Sequence, residues 1–196
     1  MFTEHEKLQM LQHGVYMLDG TRIIYLNGGV TDEMAFWFNI LLLRLEAKDS
    51  KQDITVYINS PGGSVSAGLS MIDTMNLISC DVCTVCVGFA ASMGAMLLLS
   101  GEKGKRKSLP HSKVLIHQPL GGMGQGMHQA TDIKITAENI MRTRDTLYDM
   151  IRTATGQSLE KIEADCERDY TLSAQEALEY GIIDEIVESH KISRRN

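Results

Sequence analysis

The recurrence of one local unit, a strand followed by a turn and a helix, constrains the fold of this chain more than any other feature. Apolar, β-branched runs at residues 22–26, 53–59 and 82–87 predict strands, and each is followed by a turn and a helical pattern. Strands that alternate with helices at this spacing indicate an α/β domain. The recurrence also predicts a right-handed superhelix of such units. No linker divides the chain, so we expect a single domain over residues 1–196.

Capping residues and apolar periodicity predict the helices. Thr31 is expected to cap a helix that runs to about residue 47. The apolar stripe of that helix is predicted to be Phe36, Ile40, Leu43 and Ala47. The last helix is expected to begin at the capping box of Ser173 and Glu176 and to end before Gly181. Further helices are predicted at about residues 64–78, 92–99, 131–154 and 158–161, further strands at 114–117 and 182–187, and a loose tail at 188–196.

Composition excludes several classes of partner. The formal net charge of −6 argues against a nucleic-acid partner, because a surface that binds one would be basic. The short basic run is interpreted as a solvated turn, with a phosphate or lipid site as the alternative; it consists of Lys103, Lys105, Arg106 and Lys107. No apolar run is long enough to span a membrane, and the polar start lacks the apolar core of a signal peptide. We therefore expect no membrane partner and a reducing, cytoplasmic location: the bacterial cytosol, with an organellar stroma or matrix as the alternative.

The spacing of three cysteines, Cys80, Cys83 and Cys86, is similar to a metal-binding pattern. Cys83 and Cys86 lie in a β-branched run that predicts a buried strand, where residues three apart point to opposite faces. These two thiols cannot then share a metal ion. We expect these three cysteines to be buried, and all four, Cys166 included, to be free thiols, since a reducing compartment does not support disulfides; we expect no metal site.

One serine stands where chemistry would be favoured. Ser92 lies between an apolar strand and an apolar helix, where unpaired N–H groups stabilise negative charge. It is either an N-cap, which is the commoner role, or a nucleophile. Of the six histidines, only His117 lies at the carboxyl end of a buried strand, and Asp169, in a turn between two predicted helices, could orient its imidazole. The alternatives are a core histidine and a helix-end or turn carboxylate.

Four short segments stand in an order and at intervals typical of one protein family. Each is weak by itself, but together they are highly specific. They are residues 58–64 (Ile-Asn-Ser-Pro-Gly-Gly-Ser), 90–95 (Ala-Ala-Ser-Met-Gly-Ala), 116–119 (Ile-His-Gln-Pro) and 167–169 (Glu-Arg-Asp). With residues 101–106 between them, the chain from about residue 22 to 187 resembles the proteolytic subunits of the Clp protease, the ClpP family.

This resemblance implies a fold, an activity and a site. The fold is a crotonase-like ββα superhelix with a protruding helix–strand handle, and the activity is that of a serine endopeptidase. The resemblance places the nucleophile on Ser92, the general base on His117 and the orienting acid on Asp169. It places the oxyanion donors on the backbone N–H groups of Gly63 and Met93.

The resemblance also implies assembly and partners. The handle, about residues 119–155, would join two stacked heptameric rings of this chain. Glu167 and Arg168 match positions that pair between rings in relatives, with a solvated turn as the alternative. A ring-shaped AAA+ Clp ATPase of the ClpX, ClpA or ClpC type would unfold protein substrates and thread them into the chamber. The P-loop pattern is absent from this sequence, so the partner uses the ATP and we expect no cofactor in this chain.

Three departures from the family pattern suggest a divergent paralogue that works with a second ClpP-type subunit. The N-terminal axial segment, residues 1–21, lacks the usual axial-loop sequence and could equally begin with a short helix. Thr55 stands where relatives often carry an aromatic residue in the groove that docks the ATPase, while Tyr57 keeps its aromatic ring. Residues 122–129 are longer than the usual handle strand. Two alternatives are a ring subunit with weak or no activity of its own and a crotonase-like acyl-CoA enzyme, against which the serine–histidine pair counts.

Overall fold

The computed structural model describes residues 3–121, 127 and 129–187, and its sheet with surrounding helices confirms the predicted α/β class. The strands are β1 (Val15–Met17), β2 (Ile23–Asn27), β3 (Ile54–Ser60), β4 (Val82–Ala91), β5 (Arg106–Ser108), β6 (Lys113–Ile116), β7 (Tyr170–Ser173) and β8 (Glu185–Ile186). The helices are α1 (Glu4–Gln12), α2 (Asp32–Lys48), α3 (Val65–Leu77), α4 (Met93–Leu99), α5 (Ala130–Thr155), α6 (Leu159–Cys166) and α7 (Ala174–Tyr180). Most of the predicted handle strand, residues 122–126 and 128, and the predicted tail at 188–196 lie outside the described residues.

Three parallel strands form the centre of the sheet. β2, β3 and β4 pair in parallel in that order, and helices α2 and α3 make the connections between them. β1 pairs antiparallel with β2 at one edge. On its other side β4 pairs with two strands in succession, first with β5 and then with β6, both in parallel. β8 adds to β5 and β7 adds antiparallel to β6, so the sheet divides at β4.

The sheet divides at Gly88, inside β4. The register between β3 and β4 shifts between Ile58 and Ser60, and Gly88 has a φ of 80° that a β-carbon would disfavour. The N–H of Gly88 donates to Ser112 Oγ at 2.9 Å, and Ser112 Oγ donates to the carbonyl of Cys86 at 3.1 Å. The buried hydroxyl of Ser112 therefore satisfies the N–H of Gly88, which is freed where β4 changes partner, and adds a second hydrogen bond to the carbonyl of Cys86, which also accepts from the N–H of Leu109 at 3.0 Å.

Helix α2 begins where the sequence predicts but buries a different face. The hydroxyl of Thr31 accepts a hydrogen bond from the N–H of Met34 at 3.2 Å, which confirms the predicted N-cap. The predicted stripe is wrong, because Phe36 and Leu43 are 56% and 46% exposed. The buried face consists of Met34, Ala35, Phe38, Leu41, Leu42 and Leu45. Apolar residues surround most of this helix, so periodicity alone did not decide which face meets the core.

The interpretation of the basic run as a solvated turn is wrong from Lys105 onward. Arg106 begins β5 and is 1% exposed, with its Nη2 2.6 Å from Oδ1 of Asp184. Lys105, just before the strand, contacts the carboxylates of both Asp53 and Asp81. These carboxylates are distant in sequence, so no local charge pattern identified them as partners.

Several short elements were left open by the sequence, predicted too short or missed. The N-terminal segment forms helix α1, one of the two alternatives, with a reciprocal capping box between Thr3 and Glu6. Strands β1, β5 and β7 were missed, and α6 continues to Cys166. At the other end of the chain, the capping box of α7 and the left-handed Gly181 are confirmed. None of the helices in the described part is both long and apolar enough to cross a membrane.

Candidate active site

The carboxyl ends of three neighbouring parallel strands meet at one edge of the sheet. β3 ends just before Gly62 and Gly63, β4 just before Ser92, and β6 just before His117. Parallel neighbours place their carboxyl ends side by side, so these loops are adjacent although they are far apart in sequence. A cavity of about 220 Å³ opens at this edge, and it is lined by Gly63, Ser92, Met93 and His117 among others. The structure therefore brings together four of the five residues predicted for catalysis.

Ser92 has a strained backbone. Its φ of 53° and ψ of −121° lie outside the regions that L-residues favour, and within the described residues it is the one non-glycine residue with a positive φ. Such a conformation costs about 1–3 kcal/mol and persists where the surroundings enforce it. Here the N–H of Ser92 donates to the carbonyl of Leu115 at 2.9 Å. That bond ties the serine to β6, the strand that leads to His117.

The hydroxyl of Ser92 is not used for capping. Ser92 occupies the N-cap position of α4, but its side chain makes no capping hydrogen bond, and no other partner for it is found among the described residues. The structure therefore gives no support to the N-cap alternative. A sharp, strained turn from strand to helix presents the hydroxyl to the cavity, which is the geometry that nucleophilic serines use on α/β sheets.

Two backbone N–H groups at the cavity, those of Gly63 and Met93, have no acceptor within the described part of the chain. Met93 is the first residue of α4, so no intrahelical carbonyl is available to it. Gly63 forms a parallel bridge in which Val30 donates to the carbonyl of Gly62 at 2.8 Å and accepts from Ser64 at 2.9 Å. The middle residue of such a bridge turns its own N–H away from the partner. Both groups are therefore available to a negative oxygen.

Gly62 lets the two loops of the site come into contact. It has a φ of 89°, and a β-carbon there would lie 2.7 Å from Cβ of Ser92 and 2.9 Å from the backbone nitrogen of Met93. No other residue type could keep the backbone of Gly63 this close to the start of α4.

β6 and β7 bring an imidazole and a carboxylate together. The two strands pair antiparallel with Ile116 opposite Tyr170, so His117 and Asp169 follow that register just beyond the paired residues. Nδ1 of His117 lies 3.6 Å from Oδ1 of Asp169, which is an ion-pair distance and longer than a hydrogen bond. The His117 side chain is 15% exposed and that of Asp169 is 74% exposed.

Two features of this arrangement differ from expectation. Asp169 does not lie between two helices, because the residues after it form β7 rather than part of a helix. No hydrogen bond joins the Ser92 hydroxyl to the His117 imidazole within the described residues. Catalytic hydrogen bonds are often long in ligand-free proteins and tighten on substrate binding.

Glu167 and Arg168 are exposed and lie in the turn just before Asp169. With His117 and Gln118 they line a second cavity of about 380 Å³ beside the first. Their side chains are thus accessible to another molecule, and their role in contacts between rings stays a prediction.

Comparison with known proteins places this chain in a family. The family model of the Clp protease matches residues 6–190. This chain belongs to the Clp protease family. An ATP-dependent Clp protease proteolytic subunit of Streptococcus sanguinis (strain SK36) is 54% identical over 172 residues, which cover 88% of this chain and 87% of that protein. A proteolytic subunit of the same name from Streptococcus pneumoniae (strain Hungary19A-6) is 52% identical over the same shares of both chains.

The walls of the cavity in this Clp protease chain are apolar. They include Val65, Met96, Ile116, Leu147, Tyr148 and Ile151. Sequence reasoning missed the contribution of α5, although its buried residues recur at helical spacing and could have indicated a core-facing turn. Burial raises the pKa of Tyr148 to about 12, so its hydroxyl is protonated at neutral pH.

The cysteines of this family member lie away from any metal-binding arrangement. Cys83 and Cys86 lie on β4 as predicted, and no group of three or more His, Cys, Asp or Glu side chains could hold a metal ion in the described part. Burial raises the pKa of both thiols to about 11, and that of Cys166 to about 12. The thiols are therefore protonated at neutral pH, and none of them is an activated nucleophile.

Proposed function

We propose that this chain is a Clp-type proteolytic subunit, a serine endopeptidase in which Ser92 is the nucleophile, His117 the general base and Asp169 the orienting acid. One observation carries the proposal. The strained Ser92 presents its hydroxyl to a cavity that also contains His117 and two unpaired backbone N–H groups. That hydroxyl has no hydrogen-bond partner among the described residues. A hydroxyl, a base and oxyanion donors in one cavity are the requirements of acyl transfer.

In the proposed reaction, Ser92 Oγ attacks the carbonyl carbon of a peptide bond while Nε2 of His117 accepts its proton. Negative charge develops on the carbonyl oxygen, which the N–H groups of Gly63 and Met93 stabilise as fixed dipoles. His117 then donates the proton to the leaving amine, and water releases the acyl group by the reverse sequence. Asp169 holds the imidazole in the correct tautomer and orientation throughout.

The cavity also suggests which side chain lies beside the cleaved bond. Its walls are apolar and its volume is about 220 Å³, enough for one medium-sized apolar side chain. A charged side chain would lose its hydration there without gaining an ion-pair partner. We therefore expect cleavage after residues such as Leu or Met in unfolded polypeptides.

Helix α5 suits the proposed handle of a crotonase-like superhelix. It is 26 residues long, about 39 Å, and only Leu147, Tyr148 and Ile151 near its end are buried. Ile133 and Met141 are each 53% exposed on the part that projects from the body. We assign these exposed apolar side chains to contacts between two stacked heptameric rings. The chain is then one domain, with its handle at about residues 119–155 and its axial segment at residues 1–21.

An enclosed peptidase chamber requires a partner that delivers unfolded substrates. A peptidase chamber closed by stacked rings admits folded proteins only after another machine has unfolded them. The relatives carry the description ATP-dependent, and this sequence has no P-loop, so we assign ATP use to an AAA+ Clp ATPase. Because the relatives are bacterial, we place the assembly in the bacterial cytoplasm.

One observation favours a second candidate, a ring subunit that is weakly active until it assembles with a sister subunit. The distance of 3.6 Å from His117 to Asp169 and the absence of a hydrogen bond from Ser92 to His117 within the described residues leave the triad open. Contacts from a neighbouring subunit could close it. An acyl-CoA enzyme is less well supported, since enolate chemistry on two backbone N–H groups needs no serine–histidine pair.

A fluorophosphonate probe tests the proposal directly. We expect it to label Ser92, and we expect Ser92→Ala to abolish both labelling and the degradation of an unfolded protein in the presence of the ATPase. Ser100→Ala, at the other end of α4, is the matched control and should retain both. Labelling at another residue, or degradation by Ser92→Ala, would exclude the proposed nucleophile. Labelling that appears only after a sister subunit is added would favour the second candidate, and binding of an acyl-CoA without any labelling would favour the third.

A further inference from the structure

Gln118 joins the strand that presents His117 to the turn that presents Asp169. Its backbone N–H donates to the carbonyl of Cys166 at 2.8 Å, and its side-chain Nε2 donates to the carbonyl of Glu167 at 3.1 Å. The acceptor is a carbonyl in both cases, so the side-chain nitrogen must be the donor. Gln118 therefore bonds to two consecutive carbonyls immediately before Arg168 and Asp169.

The turn that carries Asp169 has little other support. α6 ends at Cys166 and β7 begins at Tyr170, so residues 167–169 belong to neither element. Asp169 is exposed, and within the described residues the one ion pair or hydrogen bond of its side chain is that with His117. The amide of Gln118 is the one side chain of the described part that bonds to the backbone of this turn. The position of the carboxylate thus depends on this bond.

Gln118 is itself held in a narrow range of conformations. It precedes Pro119, and the proline ring restricts the residue before it to extended backbone. Its backbone bond to Cys166 ties it to the last residue of α6, the helix that precedes the turn. An extended, doubly bonded residue next to His117 fixes the distance between the imidazole and the turn opposite.

We infer that Gln118 is a positioning residue for catalysis, whose side-chain amide holds Asp169 where its carboxylate can orient His117. This inference rests on the proposed function, because it assigns Gln118 a role only if Ser92, His117 and Asp169 act together. A displacement of about 1 Å in a catalytic group can reduce turnover by as much as about 100-fold. Loss of the amide should therefore act on turnover, while substrate binding in the apolar cavity is unchanged.

Gln118→Met is the sharpest variant, since methionine has the same length and no charge but cannot donate to Glu167. Gln157→Met is the matched control, because Gln157 Nε2 makes the same kind of bond to the carbonyl of Tyr180 at 3.0 Å, away from the site. Both variants should be measured in the assembled protease with a fluorogenic peptide, for kcat and KM, and for their thermal midpoints. Each should also be combined with Asp169→Asn.

We expect Gln118→Met to lower kcat by about 10-fold or more, with KM changed by less than about twofold. Gln157→Met should leave both constants unchanged even if its thermal midpoint falls equally. In the Asp169→Asn background, Gln118→Met should have no further effect, because the carboxylate that it positions is already gone.

Three outcomes would overturn the inference. A Gln118→Met enzyme with normal kcat would show that the turn is held without the amide. A loss of kcat that persists fully in the Asp169→Asn background would show that Gln118 acts through something other than Asp169. If Ser92 of the wild-type assembly does not react with the fluorophosphonate, the proposed function is overturned, and this inference with it. The two outcomes for Gln118→Met are therefore measured against a wild-type enzyme whose Ser92 does react.

Discussion

The ion pair of Arg106 and Asp184 supports a quantitative prediction about the stability of the fold. Nε and Nη2 of Arg106 donate to the Asp184 carboxylate at 2.8 and 2.6 Å, and the backbone N–H groups of Arg106 and Gly104 donate to it at 3.1 and 2.8 Å. Nη1 of Arg106 donates to the carbonyl of Ala154 at 3.1 Å. One pair thus joins β5, the end of α5 and the segment before β8.

The charge state of Asp184 links this pair to pH. Burial works against the charged carboxylate, but the guanidinium and the two backbone donors outweigh it and lower the pKa of Asp184 from 3.8 to about 2. At about 1.4 kcal/mol for each pH unit between these values, the ionised carboxylate of Asp184 contributes about 2–3 kcal/mol to the free energy of unfolding. The folded-state pKa is the lower one, so this contribution is complete above about pH 5 and is lost as the pH falls through 3.8 towards 2.

Replacing Asp184 by Asn removes the charge and leaves Arg106, which is 1% exposed, without its counter-ion. We expect Asp184→Asn to lower the free energy of unfolding at neutral pH by about 3–5 kcal/mol. Asp149→Asn is the matched control, because Asp149 pairs with Arg152 on α5 and both side chains are more than half exposed. That variant should cost less than about 1 kcal/mol.

Denaturant unfolding of the three proteins between pH 7 and 2.5 measures both effects. The difference between wild type and Asp184→Asn should shrink over the acid range, because the wild type loses the contribution of the charged carboxylate there. Equal losses in Asp184→Asn and Asp149→Asn would refute the argument. So would a large loss in Asp184→Asn that does not change between pH 4 and pH 2.5.

Three further predictions concern the site and its scaffold. Gly62→Ala should abolish peptidase activity, because the added β-carbon collides with Cβ of Ser92. Circular dichroism should show that the variant is folded, and retained activity would contradict the close approach of Gly62 to Ser92. Met96→Ala should enlarge the apolar cavity, at a cost of about 2–5 kcal/mol in the free energy of unfolding. The ratio of kcat/KM for peptides with Phe beside the cleaved bond to that for peptides with Leu should rise. If this ratio is unchanged, Met96 does not contact the substrate. Thr31→Ala should lower the free energy of unfolding by about 1 kcal/mol, since the N–H of Met34 loses its acceptor, and a neutral result in denaturant unfolding would count against the cap.

Local patterns predicted the elements well where the signal lies within one element. The central strands, the Thr31 cap and the capping box of α7 with Gly181 depend on residues a few positions apart. The short strands β1, β5 and β7 give almost no periodic signal, because three or four residues do not complete a recognisable alternation. They exist because a neighbouring strand provides hydrogen-bond partners.

The face that α2 buries could not be read from its sequence. Phe36 and Leu43 are as apolar as Phe38 and Leu42, and only the position of the sheet decides which pair is covered. The burial of the charged Arg106 could not be predicted from its local sequence either. Its burial is tolerated because Asp184, distant in sequence, accepts its hydrogen bonds.

The linear order of residues determined that this chain forms an α/β domain and that a serine and a histidine each follow an apolar strand. It also carried the family resemblance, since motif order and spacing are properties of the sequence. The tertiary structure alone decided that those strands are parallel neighbours, that Ser92 takes a strained conformation instead of capping its helix, and that Asp169 meets His117 across β6 and β7. The physical reason is that strand pairing joins distant segments, and the contacts that enforce strain or align a carboxylate come from residues that no local pattern connects.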